Sequence, residues 1–265
     1  MTDAMPAPFD VKLMNIAASA LFVACGVMLV ATGIWWALRN PAFSLAGITI
    51  TGDTVHNNAV TLRANVAHRL RGNFFTVDLA QARTAFESVP WVRRAVVQRE
   101  FPNRLRVILK EHQALAYWGV EDESKLLNTQ GEVFDANTGD VEQDDMPRLS
   151  GPDAASAPQV LALYQAIKPL FDAHDLIVTE LGLSGRGSWQ VTFDTGAVIE
   201  MGRGPVDEVI PRVERFAHTL TQVAAKYGRR ADTLESADLR HTDGYALRLR
   251  GVTTGEQAQK KHEKK

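Results

Sequence analysis

Residues 92–110, VRRAVVQREFPNRLRVILK, read as two strands facing each other across a tight turn. The turn is Phe101-Pro102-Asn103, where proline and asparagine favour chain reversal. In the second strand Leu105, Val107 and Leu109 share one face, while Arg104, Arg106 and Lys110 populate the other. That alternation predicts a sheet with one buried and one wet face, with Trp91 and the three aliphatic residues in its core.

Toward the N-terminus, Pro90 stops a helix that starts at Asp78, with Gln81 three residues on as a capping-box partner. Its apolar face is Leu79, Ala82, Phe86 and Val89. An earlier helix carries Leu62, Val66 and Leu70; Asn57 or Asn58 caps its start and Gly72 closes it. Phe43 to Ile50 alternates weakly and ends at Thr51-Gly52-Asp53, a strand followed by a turn. The order strand, helix, helix, strand, strand is a small α+β module with helices on one sheet face.

Before this module the chain is uncharged from Leu13 to Leu38. As a helix, the stretch from Ile16 to Leu38 would run about 34 Å, enough to cross a hydrocarbon core of about 30 Å. Trp35 and Trp36 close it where indole rings favour the interface, with Lys12 and Arg39 as flanking charges. Phe22-Val23-Ala24-Cys25 has the look of a lipoprotein cleavage box, but the apolar run continues for a dozen residues beyond Cys25. An acylated N-terminus would not need that second anchor, so the helix is expected to stay on the mature protein. Charge leaves its orientation open, because Lys12 and Arg39 nearly balance.

Beyond Glu111 the texture changes. Leu126 to Phe134 is a hairpin whose turn holds Gly131, and Asp135 to Asp145 is an acidic loop. Val160, Leu163, Tyr164, Ile167 and Phe171 mark an amphipathic helix. Strands follow at Leu176–Leu183, Trp189–Phe193 and Ala197–Met201, then a helix from about Asp207 to Tyr227 whose regular part Pro211 should delay. Ser236–Arg240 and Tyr245–Arg250 form a terminal strand pair around Thr242-Asp243-Gly244, and its last strand is expected at a sheet edge. The tail from Thr253 lacks apolar side chains and is expected to be disordered.

Net charge is -2, which removes the electrostatic case for a nucleic-acid partner. Seven histidines are scattered without metal-ligand spacing, and the only cysteine lies in the membrane stretch. Gly185-Arg186-Gly187 and Gly202-Arg203-Gly204 lack the Gly-Lys-Ser/Thr of a phosphate loop and read as turns. Asp140, Glu142, Asp144 and Asp145 cluster in a loop where solvation explains them. No catalytic, cofactor or metal site is expected. The competing reading, a membrane-anchored periplasmic cell-wall hydrolase, would need a convergent pocket of perturbed carboxylates, which a scaffold does not.

Several segments, in this order and spacing, together resemble the bacterial FtsQ/DivIB family. They are Pro90-Trp91-Val92 through Phe101-Pro102, Leu105 to Glu111, Ala116-Tyr117-Trp118, Asn128 to Phe134, Pro147 to Pro152, Ser188-Trp189-Gln190, Gly202-Arg203-Gly204 and Asp238-Leu239-Arg240. The resemblance implies a cytoplasmic tail (1–14), a transmembrane helix (15–38), a POTRA domain (39–112), a mixed β domain with two helices (113–252) and a free tail (253–265). It implies a non-enzymatic divisome scaffold of the bacterial inner membrane, with both folded domains periplasmic and the protein at the division septum. Its expected partners are the FtsB–FtsL pair, and through it septal peptidoglycan synthesis, with early division proteins on the POTRA side. The FtsB contact carries over to Arg240, His241, Asp243, Gly244 and Leu249; His241 and Leu249 stand where some relatives have aromatic side chains. The POTRA recruitment surface carries over to Arg94, Val97 and Arg99.

Overall fold

The computed structural model describes residues 9–120, 125–137, 139, 141, 146–241 and 244–252. Asp140, Glu142, Asp144, Asp145, Asp243 and the tail from Thr253 lie outside the described residues. The chain divides into two units, residues 1–111 and 112–265.

The first unit begins with α1 (Phe9–Arg39), a single 31-residue helix. It therefore starts six residues before the expected span, and its apolar side chains from Phe9 to Trp36 are exposed. A 3-10 turn at Pro41–Phe43 leads to β1 (Gly47–Gly52), α2 (Ala59–Ala67), α3 (Leu79–Glu87), β2 (Val92–Glu100) and β3 (Arg104–Glu111). The order is the one the sequence predicts. In space β3 is central: β1 runs parallel to it, pairing Ile48 with Leu105, and β2 lies antiparallel on its other side.

Alternation along β3 decides which face is buried. Leu105, Val107 and Leu109 are almost fully buried, and Val107 and Leu109 pack with Leu62, Val66, Phe86 and Val92 beneath the helices. Leu105→Ala should cost about 2–5 kcal/mol in chemical unfolding, because it empties a filled site. A loss within about 0.5 kcal/mol, the range of surface substitutions, would contradict this assignment of faces.

The helix ends show which local signals were read correctly. Asn58 is the cap of α2, accepting from Val60 N–H at 2.9 Å, and Asp78 caps α3 through Ala80 and Gln81 N–H. α2 stops at Ala67, a turn earlier than expected, although Leu70 still packs on the core. Gly72 serves a different purpose from helix closure. At φ +109° it starts the loop held by Asn73 and Thr76, and a Cβ there would sit 2.8 Å from Thr76 Oγ1.

Asn57, the alternative cap, is committed to Glu111 at the end of β3. The nearly buried Glu111 carboxylate accepts from the backbone N–H groups of Val55, His56 and Asn57 and from Asn57 Nδ2, each at 3.0 Å. His56 also stacks on the buried Trp91, with ring centroids 3.8 Å apart. Trp91 holds φ +69°, a conformation that an L-residue keeps only when its surroundings fix it.

The second unit is a nine-stranded sheet. Its strands are β4 (Ala114–Trp118), β5 (Lys125–Asn128), β6 (Val133–Asp135), β7 (Arg148–Ser150), β8 (Val178–Leu183), β9 (Ser188–Phe193), β10 (Val198–Arg203), β11 (Leu234–Asp238) and β12 (Ala246–Leu249). Their spatial order is β12-β11-β10-β9-β8-β7-β4-β5-β6. Helices α4 (Ala157–Asp172) and α5 (Val206–Lys226) bury Val160, Leu163, Ile167, Phe171, Val213, Phe216 and Leu220 in the core with the sheet. α5 begins before Asp207 and runs through Pro211. Its first turn closes on Pro205 O, which accepts from Glu208 and Val209 N–H, so the proline does not delay it.

Candidate functional site

β11 is held in place by burial of Leu234 and Ala237 and by parallel pairing with β10, with Leu239 N–H donating to Glu200 O at 2.8 Å. β12 is then laid antiparallel on its outer side, with Ala246 opposite Asp238 and Leu247 opposite Ala237. Leu249 is buried in the core, Leu247 is half-buried, and Tyr245 packs edge to face on Phe216 at 4.9 Å. The Tyr245 hydroxyl also meets Thr219 Oγ1 at 2.6 Å. β12 is therefore a fixed strand, and it forms one edge of the sheet.

Strand geometry says which backbone groups that edge presents. Arg250 N–H donates inward to Thr233 O at 2.9 Å. Along an antiparallel strand the N–H directions alternate, so those of Arg248 and Ala246 also point toward β11. Those of Leu247 and Leu249 point outward. Val252 N–H turns back on Leu249 O at 3.2 Å and closes the edge there.

Arg240 stands at the entry to this edge. Its Nε and NH2 donate to the two carboxylate oxygens of Asp238 at 2.9 and 2.6 Å, and its backbone N–H also binds Asp238. The Arg240 side chain is thus already oriented by Asp238. The Arg240 guanidinium holds the Asp238 carboxyl at about 2, below the usual carboxylate range. Because folding lowers this pKa, the pair stabilises the fold above about pH 4, and that contribution is lost as pH falls toward about 2. Asp238→Asn should therefore melt below the parent protein near pH 6, with the gap closing between about pH 4 and 2. A gap that stays constant across that range would contradict the pairing.

Arg203, read from sequence only as part of a turn, and Arg212, which sequence reasoning passed over, join Arg240 around Gly202. Arg203, Arg212 and Arg240 line a shallow cleft of about 390 Å³ with Ser188 and Gly202. Gly202 has φ +86°, and a Cβ there would lie 2.9 Å from Arg212 NH1 and 3.3 Å from Arg240 Cγ. Gly202 and Arg203 are the last residues of β10, paired with Trp189 and Ser188 after a bulge, so the triplet is a strand end and not the turn its sequence suggests. Of the other sites implied by the resemblance, His241 and Gly244 are exposed beside the edge. Leu249 turns its side chain into the core and offers the edge only its backbone.

The POTRA-side residues do not share one surface. Arg94 is exposed on the open sheet face, whereas Val97 packs on the core beneath the helices. Arg99 binds the carbonyls of Phe74, Phe75 and Val77 and so ties down the α2–α3 loop. β2 is also an edge strand, but Glu87 of α3 accepts its Ala95 N–H at 3.1 Å. Capping of that kind blunts an edge against strand addition.

Residues 43–112 match the POTRA domain, FtsQ-type, and residues 116–240 match cell division protein FtsQ/DivIB, C-terminal. The chain is 40% identical to the cell division protein FtsQ of Burkholderia pseudomallei, over 92% of this chain and 94% of that one. It is 40% identical to the Thiomonas arsenitoxydans FtsQ, over 92% and 89%. To the FtsQ of Bordetella pertussis it is 37% identical, over 91% and 92%.

Proposed function

This chain belongs to the FtsQ/DivIB family of cell-division proteins, and from that premise we propose that it is a non-enzymatic scaffold capturing the FtsB–FtsL pair on the β12 edge. It is a membrane-anchored division protein with a POTRA domain and a mixed β domain. In this reading residues 1–14 face the cytoplasm, 15–38 cross the inner membrane, and the domains at 39–112 and 113–252 stand in the periplasm at the septum. A strand of FtsB pairs with the outward backbone groups of β12, and an acidic side chain beside that strand meets the arginine cleft. Arg94 of the POTRA domain serves the recruitment of early division proteins, while Val97 and Arg99 hold the core and the α2–α3 loop on the other sheet face.

The observation that supports this most is the place of β12: a short edge strand, anchored through its own side chains and following Arg240, which also lines the arginine cleft at the ends of β9 and β10. Strand addition draws affinity from backbone pairing, and charge fixes register and orientation. The test is binding of the full chain to FtsB and FtsL from the same cell. Arg240→Ala should weaken binding by about 1.5–3 kcal/mol, the range for a hydrogen bond to a charged group. Unchanged affinity in a variant with an unchanged melting temperature would remove the arginine from the contact.

A further inference from the structure

Phe43 comes four residues after Arg39, the last residue of α1, within the 3-10 turn. Four extended residues reach at most about 14 Å, and a 3-10 turn shortens that. The headgroup layer beyond the hydrocarbon core is itself about 5–8 Å deep on each side. Phe43 is therefore tethered at or close against the bilayer surface.

Two backbone bonds fasten this linker to the domain. Phe74 N–H donates to Phe43 O and Ala46 N–H to Asn103 O, each at 2.9 Å. They bring the α2–α3 loop and the β2–β3 turn to the same end as the tether. Phe43 meets Phe75 edge to face at 4.9 Å, Phe75 meets Phe74 at 5.2 Å, and Phe74 meets Phe101 at 6.4 Å. Phe101 is nevertheless 80% exposed and Phe75 47% exposed. Arg71 and Arg104 stand exposed on the same two segments. Open phenyl rings flanked by arginines are poorly suited to water, and they suit the boundary between headgroups and acyl chains.

We infer that this end of the POTRA domain is seated in the bilayer surface, in the leaflet where α1 emerges. Phe75 and Phe101 lie at the headgroup–acyl boundary, and Arg71 and Arg104 meet lipid phosphates. The inference rests on the reading of α1 as a membrane span. Its consequence is a fixed stance: β1 and β3 both run from this end toward Glu111, so seating one end carries the other away from the membrane.

Spin-label accessibility in the full chain, one copy per phosphatidylcholine–phosphatidylglycerol nanodisc, tests it. One label goes on the native Cys25. Others go singly on Phe75→Cys, Phe101→Cys and Val55→Cys in a Cys25→Ala background. Val55, 86% exposed in the loop after β1, reports the opposite end of the sheet. Labels at 75 and 101 should collide with a water-soluble nickel chelate several-fold less than the label at 55, and with oxygen more. If Cys25 reads hydrocarbon while 75 and 101 are as open to nickel as 55, the seating is wrong and the span stands. If Cys25 itself is open to nickel, the span fails and the inference with it. Shielding that appears only when another protein is added would also overturn the inference. Phe101 is so exposed that its replacement should leave the fold intact, which the melting temperature checks.

Discussion

Glu111→Ala should destabilise the POTRA domain by about 2–4 kcal/mol, because it takes a shared charged acceptor from several N–H donors at once. The carboxylate is the common acceptor of three consecutive backbone N–H groups and the Asn57 amide. Without it those donors lose partners near the Trp91 and His56 stack, and each buried orphan costs about 1–3 kcal/mol. Water can reach the outer part of the loop, since Val55 is exposed, which keeps the total below the simple sum. Glu111→Gln keeps one acceptor oxygen and should fall between the two. Urea unfolding followed by amide exchange in β3 gives the number. A loss under about 1 kcal/mol for the alanine variant would mean that the clamp contributes little more than one ordinary hydrogen bond.

Leu247→Pro should lower FtsB affinity more than any other single change on the β12 edge while leaving the sheet folded. Its N–H points outward, so proline removes a bond that only the partner uses, and an edge strand tolerates proline on its solvent side. One to two backbone bonds lost to the incoming strand, with the ring in its path, should cost about 2–3 kcal/mol. Arg248→Pro is the matched control. Its N–H belongs to the ladder with β11, so that variant should lose stability first. Melting temperatures separate the two effects. Equal binding losses for both variants at equal stability would contradict the alternation that singles out Leu247.

Much of this architecture could be read locally. The period-two pattern of residues 104–110 gave the buried face of β3, and Asn58 and Asp78 announced their helices because a cap is a short-range bond. β7 escaped notice, since three residues between Pro147 and Gly151 leave no periodicity to detect. So did its place in the sheet, where it joins β4 to β8 by parallel pairing on both sides. Asn57 looked like a cap because nothing near it points to Glu111, which lies 54 positions away. The arginine cleft was hidden for the same reason: Arg203, Arg212 and Arg240 come from three separate segments. Gly202, read from sequence only as part of a turn, is where the backbone comes close to Arg212 and Arg240. Leu249 shows the reverse difficulty. The resemblance names the position, whereas the fold shows that its side chain belongs to the core and its backbone to the edge.

The central claim, that the outer edge of β12 receives a partner strand, is tested most directly by residue-resolved amide exchange in the full chain, free and saturated with FtsB. The inward N–H groups of Ala246, Arg248 and Arg250 should exchange slowly in both states. Those of Leu247 and Leu249 should exchange rapidly in the free protein and become slow in the complex. Exchange at Leu247 and Leu249 that is unchanged by saturating FtsB would contradict the account.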